Sequence, residues 1–231
     1  MRPALLSMLP PTPLALRMPR LPDSGFDVVA SFYDPLAHLM YGRSLQQAQQ
    51  AALQAGLPEQ EGRILIIGGG TGWVLGEVLR RRPQVRVLYL EASPQMLHRS
   101  QAWLAKTLPQ QVGQVEFRLG TEAALRADEK FAVVVTFFFL DLFEPGRLRR
   151  LVQQLHAALA SGGTWLLADF AAPRRWWHRG LLWLMYWFFG FTTGISARRR
   201  PPIETELMRL GLSGVPAGRF FGDMIEASVW R

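Results

Sequence analysis

The chain has 231 residues, 49% of them hydrophobic and 19% charged, which suits one globular domain with a full core, or one domain with a small appendage. Its formal net charge of +8 comes almost wholly from arginine, Lys106 and Lys130 being the only lysines, and no RNA- or DNA-binding motif accompanies it, so nucleic acid is not the expected substrate. The absence of cysteine excludes disulfides, thiolate metal sites and a cysteine nucleophile; His38, His98, His156 and His178 have no close metal-ligand spacing, so no metal site is expected.

Residues 1–24 read as a disordered N-terminal extension and residues 25–231 as the folded domain. The apolar stretch Ala4–Leu9 runs into Pro10, Pro11 and Pro13, too interrupted for a signal peptide, and Met8 and Met18 are alternative starts. Asp27–Leu57 predicts helix, with Ser44 as a start signal and Gly56 as a stop. Arg63–Ile67 predicts a first strand, Thr71–Arg81 a helix and Val85–Leu90 a second strand. Pro94–Lys106 predicts a helix capped by Ser93. Val115–Leu119 is a third strand. Phe131–Phe139 is a nearly continuous apolar run, the pattern of a strand buried on both faces. Leu148–Leu159 carries a helical apolar stripe, and Thr164–Ala168 is a fifth strand after Gly162 and Gly163. Ile203–Leu210 predicts a last short helix. Phe220–Asp223 and Met224–Trp230 predict two strands joined by a tight Gly-Asp turn.

Strands alternating with helices predict an α/β fold: a Rossmann-like doubly wound sheet, mostly parallel, with helices on both faces. One segment breaks the pattern. Residues 173–202 form a predicted hydrophobic helical insertion after strand five, in which Leu181–Phe191 is apolar on every helical face. Arg174, Arg175 and Arg179 precede it and Arg198, Arg199 and Arg200 follow it. Its strictly apolar core, Leu181–Phe189, falls well short of the roughly 20 residues a bilayer span needs.

The motif that carries chemistry is Gly68-Gly69-Gly70-Thr71-Gly72, placed between a strand and a helix. Glycine there permits a sharp turn and close approach of a nucleotide to the backbone. A dinucleotide fingerprint needs glycine at its first, third and sixth positions, and the sixth here is Trp73. Glycine at the first, third and fifth is instead the pattern of S-adenosylmethionine (SAM) sites. Glu91 ends the second strand 19 residues after Gly72, where a carboxylate can accept from both ribose hydroxyls.

With these elements in order, Phe26–Arg231 resembles the class I SAM-dependent methyltransferases, and is most similar to the small-molecule branch that includes the ubiquinone and menaquinone biosynthesis enzymes. The resemblance implies an antiparallel C-terminal strand and SAM as cofactor. It assigns Tyr33, within Phe32-Tyr33-Asp34, to a cover over the cofactor, Gly68, Gly69, Gly70, Thr71 and Gly72 to the glycine motif, and Glu91 and Ala92 to the ribose motif. Met96 falls beside adenine, and Phe137 lies in the fourth-strand motif. Three positions depart from the family. Ile66 stands where an acid helps hold the methionine amino group, Thr121 stands where an aspartate reaches adenine, and Gly69 replaces a small or cysteine residue. Glu122 is the expected substitute for the adenine contact.

Methyl transfer needs alignment, exclusion of water and, for some acceptors, a base. The candidates for that base or for anchoring the acceptor are Asp141, Asp169 and His178. Phe137, Phe138 and Phe139 suggest an apolar wall, although side-chain alternation assigns at least one of them to plain core packing. The expected partner is a small hydrophobic or aromatic acceptor, and the expected location is the cytoplasm, with the aromatic segment 176–191 acting as lid, core or membrane contact. Two alternatives differ in class. One is a non-catalytic SAM-binding module working through that segment, which Ile66 and Thr121 favour. The other is a nucleotide-dependent reductase, against which Trp73 argues.

Overall fold

The computed structural model describes residues 41–59, 62–173, 176, 178, 180 and 200–231. The predicted N-terminal extension, the cover containing Tyr33 and most of the aromatic insertion lie outside these residues.

Seven strands form one sheet: β1 (Arg63–Ile67), β2 (Arg86–Glu91), β3 (Val115–Leu119), β4 (Phe131–Phe137), β5 (Leu159–Phe170), β6 (Gly214–Phe220) and β7 (Ile225–Trp230). Their order is β3-β2-β1-β4-β5-β7-β6. The first five run parallel, while β7 pairs antiparallel with both β5 and β6. This is the predicted Rossmann-like sheet with its antiparallel C-terminal end.

Alternation along β1 assigns the helices to faces. Ile64 and Ile66 point to a core with α1 (Ser44–Gly56), α2 (Trp73–Arg81) and α3 (Pro94–Thr107). Leu65 and Ile67 point to a second core with α4 (Pro145–Ala158) and α5 (Ile203–Arg209). Both faces of β4 are covered, as its unbroken apolar run predicts. Gly56 marks where α1 meets the sheet: a Cβ there would fall 2.3 Å from Leu166 Cδ2 and 2.9 Å from Val229 Cγ2. Here glycine serves close packing, and α1 includes it rather than stopping before it.

Four boundaries differ from expectation. Arg43, not Ser44, occupies the N-cap position of α1, and no side chain caps that end. Phe138 leaves β4 with φ +51°, so the strand ends two residues early. β5 begins at Leu159, which pairs with Phe131; the register then shifts so that Thr164 pairs with Val133, and Gly162 and Gly163 lie in the irregularity between them. β6 begins at Gly214 and contains Pro216. Proline and glycine weaken the strand signal there, and the position tolerates them because β6 is an edge strand. Ser93 does cap α3, its Oγ accepting from Met96 N at 3.1 Å.

Away from the strand C-termini, Glu129 ties three elements together. Its carboxylate, 3% exposed, accepts from Arg63 at 3.0 Å, from Arg118 at 2.8 and 2.9 Å, and from the Arg126 side chain and backbone at 3.1 and 2.9 Å. The Arg118 hydrogen bond, with further help from the Arg126 amide and Arg63, holds the carboxyl well below the usual carboxylate range. A lowered folded-state pKa gives stability that is present above the ordinary carboxylate range and is lost as pH falls from that range through the lowered value. Glu129→Ala is expected to cost about 3 kcal/mol, because it strands converging arginines beside a buried position. Urea melts at neutral pH and pH 4 check this: the penalty should shrink at the lower pH.

Candidate functional site

The glycine loop and Glu91 form one latched unit at the C-terminal ends of β1 and β2. Gly68, Gly70 and Gly72 adopt φ of +67°, +63° and +98°, the left-handed region that favours glycine. A Cβ on Gly68 would lie 2.4 Å from the Phe139 ring, and one on Gly69 2.6 Å from the Tyr89 ring. A Cβ on Gly70 meets nothing within 4 Å. The loop therefore packs into the core at its first two glycines and borders open space at the third.

Tyr89 Oη donates to Gly70 O at 2.8 Å, Gly70 N donates to Glu91 Oε2 at 3.2 Å, and Ser93 N donates to Glu91 Oε1 at 3.0 Å. Glu91 is buried, which a carboxylate tolerates when such donors compensate it. The two amides fix the orientation of the Glu91 carboxylate at the end of β2. Thr71 and Ala92 flank the latch half-buried, and Met96 is buried in the first turn of α3. Ile66 points into the core beside α1–α3, so no polar group occupies the position where the family carries an acid.

The predicted adenine contact has another partner. Glu122 is buried and bound in a fork by Arg147, at 2.8 and 2.5 Å, while Gln154 donates to the Glu122 carbonyl at 2.9 Å. Arg147 lies over the Phe143 ring at 5.3 Å. Thr121 Oγ1 caps the following short turn, accepting from Ala123 N at 3.4 Å. Nothing in the sequence pairs residues 122 and 147; the fold brings together the turn after β3 and the first turn of α4.

The three phenylalanines divide between the two cores, but not by strand alternation, because the chain leaves β4 at Phe138 and Phe138 packs on the same side as Phe137. Phe137 belongs to the α1–α3 core. Phe139 packs at the α4 side, edge-on to Phe143 at 5.0 Å. The Phe138 ring lies 5.6 Å from that of Phe170.

Asp141, in the turn after β4, meets Asp169, the next-to-last residue of β5, at 2% and 3% exposure. Phe137 pairs with Ala168 across these strands, which sets the following residues side by side. Asp169 Oδ1 accepts from Phe170 N at 2.8 Å. Burial raises the proton affinity of both carboxyls, the neighbouring Asp141 charge raises that of Asp169 further, and the Arg200 cation opposes the shift at both. Tyr41 joins them. Its ring lies 5.2 Å from Phe170 and 5.3 Å from Phe221, and burial together with Asp141 pushes its phenol up. Tyr41 and Arg200 lie far from both aspartates in sequence, and no motif marks them. His178 is buried, two residues from Trp176, which is 86% exposed.

A carboxyl whose folded-state pKa is raised loses stability as pH climbs from the ordinary carboxylate range through the raised value, which for Asp141 is about 6. Asp169→Asn keeps the acceptor for Phe170 N and removes the like charge. It is expected to raise the melting temperature by about 2–4 °C per kcal/mol regained at pH 8, with little change at pH 4. Scanning calorimetry at the two pH values checks the sign.

The sheet order and the latched glycine turn define a Rossmann-like class I methyltransferase fold. Residues 64–163, from β1 into β5, match the family model described as a methyltransferase domain. Among solved structures, the mitomycin 7-O-methyltransferase MmcR superposes with a TM-score of 0.66 at 18% identity, over 90% of this chain and 60% of that one. An O-methyltransferase family 2 protein from Planctomyces limnophilus, in complex with apigenin, gives 0.67 at 17% identity, over 87% of this chain and 61% of that one. DhpI, in its complex with SAM and HEP, gives 0.64 at 18% identity, over 89% and 94%. At these identities the likeness is one of fold, and this chain spans about three-fifths of the first two relatives. No curated protein matches the sequence.

Proposed function

We propose that this protein is a SAM-dependent methyltransferase acting on a small, hydrophobic or aromatic acceptor. The observation that carries the reading is the open space beside Gly70 within hydrogen-bond reach of the Glu91 latch. A positive-φ glycine that a Cβ would not crowd with protein atoms, next to an oriented carboxylate at the end of β2, fits a nucleoside. Bound SAM supplies a sulfonium methyl for in-line displacement. The protein's part is to hold that methyl against the acceptor and keep water out. Gly68–Gly72 and Glu91 hold the cofactor, with Ala92, Met96 and Phe137 around it. The Arg147–Glu122 fork orders the far side, where the turn after β3 closes on α4.

The solved relatives support a small acceptor, two of them being O-methyltransferases by name. By the order of its motifs, the chain groups with the ubiquinone and menaquinone branch of the class. The exposed Trp176 supports a role for the aromatic insertion in acceptor or membrane-surface contact. Among the described residues, no helix is long and apolar enough to cross a membrane.

Calorimetric titration with SAM and with NADPH tests the cofactor: binding of SAM alone is expected, and binding of NADPH alone would overturn the reading. A labelled-methyl screen over phenols, quinols and fatty acids then tests turnover. SAM binding with no transfer to any component of a cell extract would favour a non-catalytic module, the reading to which Ile66 points.

A further inference from the structure

Three buried polar groups have no part in holding the cofactor. Tyr41 Oη, Asp141 Oδ1 and Asp169 Oδ2 are each on a residue at least nine-tenths buried, and none has a hydrogen-bond partner. Buried polar atoms are nearly always paired, so three together at one place mark a site for something else. The place is the C-terminal edge of β4 and β5, where sheets of this kind put their ligands. The backbone is strained there as well: Phe138 holds φ +51° while its N–H donates to Ala168 O at 2.8 Å.

Resting on the methyltransferase reading, we propose that Asp141, Asp169 and Tyr41 form the acceptor site, that the acceptor presents a phenol-type hydroxyl, and that the aspartate pair takes its proton during transfer. One proton shared by two carboxyls in one buried site leaves one negative charge on the pair. Arg200 offsets that charge from the β5 side; it donates to the Phe170 carbonyl and pairs with Glu204. Glu204 takes up part of that arginine's charge, so the choice of acceptor rests on hydrogen bonding: a neutral hydroxyl finds an acceptor in the pair and offers a lone pair to the Tyr41 hydroxyl, whereas a cationic ammonium has only donors. Tyr41, Phe138 and Phe170 supply ring faces and edges for an aromatic body.

The step balances. The acceptor O–H bond breaks and its proton goes to the aspartate pair, which becomes neutral. The acceptor oxygen bonds to the methyl carbon, the sulfur–methyl bond breaks, and its electron pair stays on sulfur. Tyr41 donates a hydrogen bond to the oxygen while it carries negative charge. A carboxyl pair whose proton affinity burial has raised is a better match to a phenol than a solvated aspartate.

The test uses 4-nitrophenol, whose ionised form is coloured. Titrated into the full-length protein one pH unit below the dye's own midpoint, it should show the phenolate band on binding. Asp141→Asn should lose that band, with SAM affinity changed less than twofold. In turnover with catechol and labelled SAM, Asp141→Asn should lower kcat at least 100-fold, and Tyr41→Phe should lower it about 10-fold. Wild-type kcat should fall as pH drops and the pair takes its second proton. Asp169→Asn should move that midpoint down. Should Asp141→Asn fail to fold, the Tyr41→Phe ratio and the wild-type pH profile carry the test. Absence of a phenolate band on the wild-type protein, methylation of benzylamine in preference to catechol, or a pH-independent kcat would each overturn the proposal. Failure to bind SAM at all would instead overturn the underlying methyltransferase reading.

Discussion

Gly70→Val is expected to reduce SAM affinity by at least 100-fold while leaving the far-UV circular dichroism spectrum unchanged. Two facts separate this glycine from its neighbours. Its φ of +63° is a conformation that a β-branched residue enters only at a cost of about 1–3 kcal/mol. Its missing Cβ faces open space, whereas a Cβ on Gly68 or Gly69 would strike Phe139 or Tyr89. Substitution at Gly68 or Gly69 would therefore disturb the core and confuse folding with binding. At Gly70 the Cβ enters open space, where the proposed cofactor would lie. The strain also acts on the latch, since Gly70 N and O are both engaged, by Glu91 and Tyr89. Calorimetric titration alongside a thermal melt measures both effects on one preparation. Unchanged SAM affinity would remove the central argument for the site.

Glu91→Ala is the second large effect. Hydrogen bonds to charged groups are worth roughly 1.5 to 3 kcal/mol, so loss of the ribose contacts alone should weaken SAM about 10- to 150-fold. The structure moves the expectation toward the upper end. Glu91 also receives Gly70 N and Ser93 N, and without it the glycine turn loses its tie to β2 while two amides lose their acceptor. Glu91→Gln keeps an acceptor oxygen and should retain part of the affinity. A loss below twofold for the alanine variant would reduce Glu91 to a loop tie. If alanine and glutamine lost affinity equally, the carboxylate charge itself would be what the cofactor needs.

Periodicity made much of the fold legible in the sequence. The apolar run through β4 announced a strand buried on both faces, and Ser93 announced the start of α3. Expectation fell short where one local signal had two physical causes. Gly56 does end α1, but glycine is needed there for a second reason, because Leu166 and Val229 leave no room for a side chain. Gly162 and Gly163 looked like a break before β5, but their backbone remains in the strand. Pro216 hid β6, since a proline argues against a strand unless the strand is known to lie at an edge.

By itself, the sequence determined the elements, their alternation, the glycine turn and the acid 19 residues beyond it. These are local properties: backbone freedom at glycine, the spacing of apolar residues, and a short reach between consecutive strands. Only the tertiary structure decided which charges meet. Glu122 reads as an adenine contact until the fold delivers Arg147 to it at 2.8 Å. Asp141 and Asp169 read as two separate candidates until parallel pairing of β4 with β5 sets them in one buried site with Tyr41 and Arg200. A carboxylate's chemistry depends on its burial and on the charges within a few ångströms of it. Here those charges come from residues 25 to 59 positions away along the chain, a distance no local pattern spans.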